Sequence, residues 1–527
     1  MKLSSLPKTI LCLLSLLCIF GCAEEKKPID YPKTDLAQAA LIPRPLQVEA
    51  THSAFGLDRS TVIVTEPSAD FRRIGKFLAD DIKKMTDLMV PVNPATSVGI
   101  ERVIVIGDID NQENDTPESY QVHITNDSLI IGANTAAGAF RGVQTVRQLI
   151  PQRSNDKLAE APMWLIPTGT INDSPNFSYR GAMLDVARHF FRIDEVKRYI
   201  DQLAYYKFNA LHLHLTDDQG WRIEIKSWPK LTTVGAQSEV GGGHGGFYTQ
   251  EEFKDLVAYA NERFIDIIPE VDMPGHTNAA NLSYPQFHAR GKAETPRIRT
   301  DMKVGYSSFD AQKDTVYAFL DDVIREISAI SPGPFFHIGG DESHVTPKSD
   351  YITFVEKVEG IVQKHGKRAI GWNEIAQASI DSSTVGQLWN EPKSALKAAQ
   401  KGCNIILSPA KKIYLDMKYD SLSKHGLTWA AMIPVDDAYN WNPETYVEGL
   451  SKDHIMGIEA PLWSETISNS SELEYLAFPR VIGYSELGWT PESLRDWNDY
   501  ERRLIGQLPY LQRNAINFYR SPKVQWK

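Results

Sequence analysis

Gly181-Ala182-Met183-Leu184-Asp185-Val186, then the stretch Val196–Tyr206, then Ala210-Leu211-His212-Leu213-His214-Leu215: this segment decides the fold. Each flank is a short apolar run of the length of a buried strand. The stretch between them sets Val196, Tyr199, Ile200, Leu203 and Tyr206 at helical spacing. Strand, loop, helix and strand in this order make a βαβ unit, whose strands lie parallel.

The rhythm recurs. Asp266–Glu270, Phe335–Gly339, Arg368–Gly371, Thr384–Leu388, Asn404–Leu407 and Met456–Glu459 are further runs, eight with the first two. Amphipathic stretches separate them, such as Phe253, Leu256, Val257, Tyr259 and Ala260, which follow Thr249 and Glu252 at capping-box spacing. Eight alternations favour an α/β chain closed into a (β/α)8 TIM barrel over an open doubly wound sheet. No Gly-rich dinucleotide fingerprint opens any of the helices.

Upstream, residues 41–175 read as a small α+β domain. Thr61–Thr65, Arg102–Ile106, Tyr120–Thr125 and Ser128–Ile131 are β-like, and two helical patterns interleave them. One carries Phe71, Ile74, Phe77, Leu78, Ile82 and Met85; the other is Ala136–Leu149. Pro162, Pro167 and Pro175 mark its expected end, with the barrel over 176–527.

The chain has 527 residues and 42% hydrophobic content, enough for such a core. Its 56 basic against 67 acidic residues leave a net charge of −11, which argues against a nucleic-acid partner and suits a neutral or cationic ligand. Three of the four cysteines, Cys12, Cys18 and Cys22, fall in the first 22 residues; Cys403 stands alone, so no internal disulfide or multi-cysteine metal site follows. Lys2 and Lys8 precede the apolar run Ile10–Phe20, which is too short to span a bilayer. Ile19-Phe20-Gly21-Cys22 resembles the lipobox of bacterial lipoproteins. Residues 1–21 are therefore expected to be a signal peptide, Cys22 the lipidated first residue and 22–40 a linker. Processing would move the net charge from −11 to −13 by removing Lys2 and Lys8. The expected location is outside the cytoplasm, on the periplasmic or cell-surface side of an outer membrane and held there by the lipid.

A barrel carries its chemistry at the carboxyl ends of its strands. In order these ends read Asp185, Arg188 and His189; Asp217 and Asp218; Glu270, Asp272 and His276; Asp341 and Glu342; Trp372, Asn373 and Glu374; Trp389; Tyr414 and Asp416; Trp463 and Glu465. Taken singly, Asp185, Asp218, Glu270, Asp272 and Glu374 are expected to be structural. Together, acids with aromatic platforms are suited to sugars: a carboxyl group protonates a glycosidic oxygen, and an indole covers the apolar face of a pyranose. The sharpest acids, Asp341 and Glu342, are adjacent and follow His337-Ile338-Gly339-Gly340.

Four motifs carry a family resemblance. They are Arg180 to Phe190, His212 to Trp221, Pro269 to His276 and His337 to Glu342, in that order along the chain. The chain resembles glycoside hydrolase family 20, the β-N-acetylhexosaminidases, and the preceding α+β unit resembles that family's companion domain. The resemblance implies an exo-acting, retaining, cofactor-free enzyme that removes terminal β-linked GlcNAc or GalNAc from oligosaccharides or glycoconjugates. The substrate's own 2-acetamido oxygen serves as nucleophile, an exception to the two-carboxylate scheme. It implies Glu342 as general acid and base, Asp341 as orienter of the acetamido group and Tyr414 as donor to its carbonyl. Asp217 and His276 become a pair tuning the general acid. Trp372, Trp389 and Trp463 become pocket walls, Arg188 a ligand of the 3- and 4-hydroxyls, and Asp416, Trp429 and Glu465 contacts on the 4- and 6-hydroxyl side. No metal is implied.

His212 and His214 lie inside their strand and are expected to be layer-packing residues. They also imitate the His-x-His pair of metal-dependent amidohydrolases. Two further alternatives stand beside the main reading: a disaccharide-releasing, lacto-N-biosidase-like enzyme of the same fold, and a surface glycan-binding lipoprotein without catalysis.

Overall fold

A computed structural model describes residues 29–93, 101–108, 116–153 and 162–526. The expected signal peptide, Cys22 and the first part of the expected linker lie outside the described residues. Among the described residues no helix is long and apolar enough to cross a membrane. Contacts divide the chain into two units: Met1–Asn176 with Ser493–Arg495 and Arg502–Pro509, and Phe177–Glu492 with Asp496–Glu501 and Tyr510–Lys527.

The first unit is a six-stranded sheet. Its strands are β1 (Gln47–Leu57), β2 (Thr61–Thr65), β3 (Arg102–Gly107), β4 (Tyr120–Ile124), β5 (Ser128–Gly132) and β6 (Trp164–Asp173), in the order β1-β6-β4-β5-β3-β2. Helices Ala69–Thr86 and Ala136–Leu149 pack on one another and on the sheet. Ser68 starts the first of them by accepting the Phe71 amide, satisfying one of the helix's free N–H groups. β1 and β6 are not anticipated by the sequence pattern; both lie within residues 41–175. Pro167 lies within β6, opposite Ala54, where the pairing with β1 shifts register between Ala50 and Ala54. A strand tolerates proline where its ladder is already interrupted.

The second unit is the closed barrel. Its strands are β7 (Tyr179–Asp185), β8 (Ala210–His214), β9 (Asp266–Glu270), β10 (Phe335–His337), β11 (Arg368–Trp372), β12 (Val385–Leu388), β13 (Asn404–Leu407) and β14 (Ile455–Leu462), with β14 pairing back onto β7. The eight apolar runs are these eight parallel strands. Thr249 and Glu252 form the expected capping box at the start of helix Gln250–Asn261.

Side-chain period two stacks the interior in layers. Tyr179, Ala210, Ile268, Phe335, Ile370, Val385 and Ile406, with Met456 against them, form one apolar layer to which every strand contributes. Two residues further along the strands the interior turns polar: His212, Glu270, His337, Trp372 and Gln387, with Glu459 from β14, all buried. Bulky aliphatic layers are the norm in such barrels. Here His212 and His214 are indeed interior residues, but they pack as members of a hydrogen-bonded chain. His212 meets Glu459 and Glu270 at 2.9 Å each, and His214 meets Glu270 and, at 3.0 Å, Asp217. Both ring nitrogens of both histidines are thus engaged by carboxylates.

Burial would push the His212 imidazole down, yet Glu459 and Glu270 raise it to about 9 from the usual 6.5. The folded chain therefore holds a proton that the unfolded chain releases above pH 6.5. This stabilisation is complete below pH 6.5 and is lost as pH rises through about 9. Glu374, raised from 4.5 to about 8, acts in the same direction because the fold resists its ionisation. The melting temperature measured by calorimetry is expected to fall steadily between pH 6.5 and 9; a flat profile would refute the charged layer.

Candidate active site

The strand ends of the barrel open on a cavity of about 350 Å3. Ten of the twelve sequence-selected site residues line it: Arg188, Asp341, Glu342, Trp372, Trp389, Tyr414, Asp416, Trp429, Trp463 and Glu465. Met302, Val304 and Leu427 complete the wall. They are apolar loop residues with no periodic or chemical signal. Asp217 and His276 stand behind the lining, buried and in contact with it.

The turn after β10 delivers the two adjacent acids. Gly339 has φ +64, and a Cβ there would sit 1.8 Å from Asp272 Oδ1; the Gly340 amide donates to that same oxygen at 3.0 Å. Asp272 thus shapes the turn by occupying the space a side chain would need, and only glycine fits at 339. Glu342 follows at φ +45, and His276, on the loop after β9, at φ +53. Non-glycine residues in this region cost about 1–3 kcal/mol each and concentrate at functional sites.

His276 joins the groups. Its Nε2 lies 3.5 Å from Asp341 Oδ2 and 3.6 Å from Glu342 Oε2, and its Nδ1 lies 3.2 Å from Asp217 Oδ1. Burial alone would strip the imidazole of its proton, but Asp217, Asp341 and Asp272 together hold its pKa well above the usual value. Asp217 is correspondingly held well below its usual range: burial opposes ionisation, and Arg188, at 2.7 Å, and His276 outweigh it. Burial likewise pushes Glu342 up, and the charged His276 beside it, with Arg188, brings it below the ordinary value. Asp341 goes the other way; burial and the nearby Glu270 and Glu342 charges raise it against the pull of His276. The two consecutive carboxyl groups are thereby set apart electrostatically, Asp341 above and Glu342 below its ordinary value.

The opposite side is aromatic. Trp372 and Trp463 have ring centroids 5.9 Å apart, Trp463 and Tyr414 6.4 Å, Tyr414 and Trp429 6.1 Å, and Trp429 and Trp389 6.1 Å. Burial and Asp416 hold the Tyr414 hydroxyl well above its usual pKa, so it remains a donor. Arg188 is fixed by Asp185 at 3.4 Å and Asp217 at 2.7 Å, with its guanidinium 4.9 Å from the Trp463 ring. Among the described residues, both Asp416 carboxylate oxygens and Glu465 Oε2 are buried without a hydrogen-bond partner. Buried acceptors normally find partners, so these cavity-lining oxygens are set to receive hydroxyl groups.

Acids read from the sequence as structural are mostly that. Asp185 accepts the Ala187, Arg188 and Ser464 amides, and Asp218 accepts the Asn278 amide and the Ser307 hydroxyl. Glu270 does more than pack. Its Oε1 accepts the Trp372 indole at 3.0 Å, and its Oε2 meets His214, so one carboxylate links a cavity wall to the Asp217–His276 pair. No signal in the sequence points to that role.

A (β/α)8 barrel with paired acids and an aromatic box at its strand ends defines a glycoside-cleaving class of protein. Residues 177–492 match the glycosyl hydrolase family 20 catalytic domain and residues 38–174 match glycosyl hydrolase family 20, domain 2. The chain belongs to glycoside hydrolase family 20 and is a glycoside hydrolase. It is 35% identical to a β-N-acetylhexosaminidase of Cellulomonas fimi over 93% of this chain and 98% of that one. A β-hexosaminidase of Porphyromonas gingivalis is 34% identical, over 96% of this chain and 68% of that one. Among solved structures, the family 20 β-N-acetylhexosaminidase of Streptomyces coelicolor A3(2) superimposes with a TM-score of 0.87 at 42% identity, covering 94% of this chain and 100% of that one. A mutant Streptomyces plicatus β-hexosaminidase in complex with its product GlcNAc has the same TM-score at 43% identity, covering 94% of this chain and 99% of that one.

Proposed function

We propose that the protein is an exo-acting, retaining β-N-acetylhexosaminidase that hydrolyses terminal β-linked GlcNAc or GalNAc by substrate-assisted catalysis. One observation carries the reading. The two acids that face Nε2 of the proton-bearing His276 are consecutive residues on one turn, and an aromatic box shares their cavity. Consecutive carboxylates do not flank a scissile bond as a nucleophile and an acid from separate strands would. The sugar's acetamido oxygen attacks the anomeric carbon instead and forms an oxazolinium-type intermediate. Tyr414 donates to that oxygen, and ionised Asp341 faces the acetamido N–H as it gains positive charge. The proton for the leaving oxygen is held close by: His276 carries it beside Glu342, which passes it on and then takes one from water. Trp372, Trp389 and Trp463 enclose the acetamido methyl and the ring; Arg188, Asp416, Trp429 and Glu465 take the hydroxyls.

The test is release of nitrophenol from an aryl β-N-acetylglucosaminide by purified wild type. Turnover unaffected by EDTA is expected, since every step uses side chains. Failure across about pH 4 to 8, where a tuned carboxyl titrates, would remove the catalytic claim.

We also infer export and anchoring through Cys22, from the charged start, the short apolar run and the lipobox-like Ile19–Cys22. Radiolabelled palmitate is expected to enter the wild type and not Cys22→Ala, which moves to the soluble fraction. Label retained by the variant would overturn this.

A further inference from the structure

Glu374 is an acid without an assigned task, next to the cavity. It follows β11 on the short turn Asn373–Gln377, two residues after Trp372. Among the described residues it has no ion-pair partner. The charged groups that act on it are Asp341 and Glu342, both of its own sign, and with burial they raise its carboxyl group to about 8. A carboxyl group kept largely neutral there gains nothing from charge, so its geometry must account for it.

That geometry is directed at one residue. The Trp389 indole Nε1 donates to Glu374 Oε1 and Oε2 at 3.2 Å each. The preceding residue, Asn373, accepts the Trp389 main-chain amide through Oδ1 at 3.1 Å and the Asn390 amide at 3.2 Å; its Nδ2 donates to Glu374 Oε2 at 3.1 Å. One turn grips both ends of Trp389, the backbone through an amide and the ring through a carboxyl group. Trp389 is a cavity wall, only partly buried, and its other ring contact is with the exposed Trp429. Without the clamp the indole has little to fix it.

We propose that Glu374 is a positioning residue for the glycosidase reaction, acting through Trp389: the Asn373–Glu374 turn sets the plane of that indole and with it the fit of the pyranose. The inference rests on the hexosaminidase reading for its substrate, but the clamp is testable by itself.

The experiment is a double-mutant cycle with Glu374→Leu and Trp389→Phe. KM and kcat are measured on an aryl β-N-acetylglucosaminide, and Kd for free GlcNAc is measured by calorimetry. Glu374→Leu is expected to raise KM and Kd about tenfold, the scale of one lost buried hydrogen bond, with a smaller change in kcat. Glu374→Gln, whose amide oxygen still accepts the indole N–H, is expected to restore most of the loss. In the Trp389→Phe background, which has no indole N–H, Glu374→Leu is expected to add less than about twofold. Equal losses from Glu374→Leu with and without the indole would overturn the proposal, as would a Gln variant as poor as the Leu variant. Wild type that binds GlcNAc but does not turn over would count against the hydrolase reading, while the Kd cycle still decides the clamp.

Discussion

Glu342→Gln is expected to lower kcat/KM on a methyl β-N-acetylglucosaminide about a thousandfold, and on a 2,4-dinitrophenyl glycoside only about tenfold. A methoxide leaving group cannot depart without a proton, and the amide has none to give. Dinitrophenolate is stable as an anion and departs unaided. Because kcat/KM reports steps up to the first irreversible one, the comparison isolates protonation of the leaving oxygen from later activation of water. Removing Glu342 leaves Asp217 in contact with both His276 and Arg188, so the fold of the site is expected to persist. Equal losses on both substrates would place the general acid elsewhere.

Asp341→Asn is expected to reduce kcat about 100- to 1,000-fold with little change in KM, the range seen when one preorganised electrostatic partner of a transition state is lost. Asparagine keeps the shape and removes the charge. In the ground state the acetamido group is neutral and scarcely registers the difference. In the transition state its nitrogen is becoming cationic, and there the ionised carboxylate acts. Burial and the neighbouring Glu270 and Glu342 raise the pKa of Asp341, so the acidic limb of the wild-type pH profile contains its ionisation, and that limb is expected to change in the variant. The companion measurement is wild type on an aryl β-glucoside. Lacking the acetamido group, it is expected to show no turnover. A near-wild-type Asp341→Asn enzyme would contradict participation by the acetamido group.

Most of the barrel was legible because its signals are local. A strand buried on both faces is a short apolar run, and a helix facing it carries a stripe, as Val196 to Tyr206 does. β1 and β6 were not legible for the same reason. β1 contains Glu49, Thr51, His52 and Ser53, exposed or half-buried, and β6 is interrupted by Pro167; their pairing is made across more than a hundred residues. Burial cannot be read from an alternation that is absent.

The candidate site divides along a similar line. Which residues stand at strand ends follows from the sequence, since the strand ends are where the apolar runs stop; the cavity lining contains nine of the residues so chosen, and Trp429, which the family resemblance supplied. Which of them work together depends on spatial neighbours far apart in the chain. Glu270 and Trp372, Asp217 and His276, and Glu459 and His212 are separated by 102, 59 and 247 positions and meet only because the strands close into a ring. The tertiary structure alone shows that the histidine pair of β8 belongs to a charged interior layer, that Asp272 shapes the Gly339–Gly340 turn, and that Glu374 grips Trp389. The physical reason is that hydrophobic periodicity is a property of neighbours along the chain. A pKa, a hydrogen bond and a pocket wall are properties of neighbours in space.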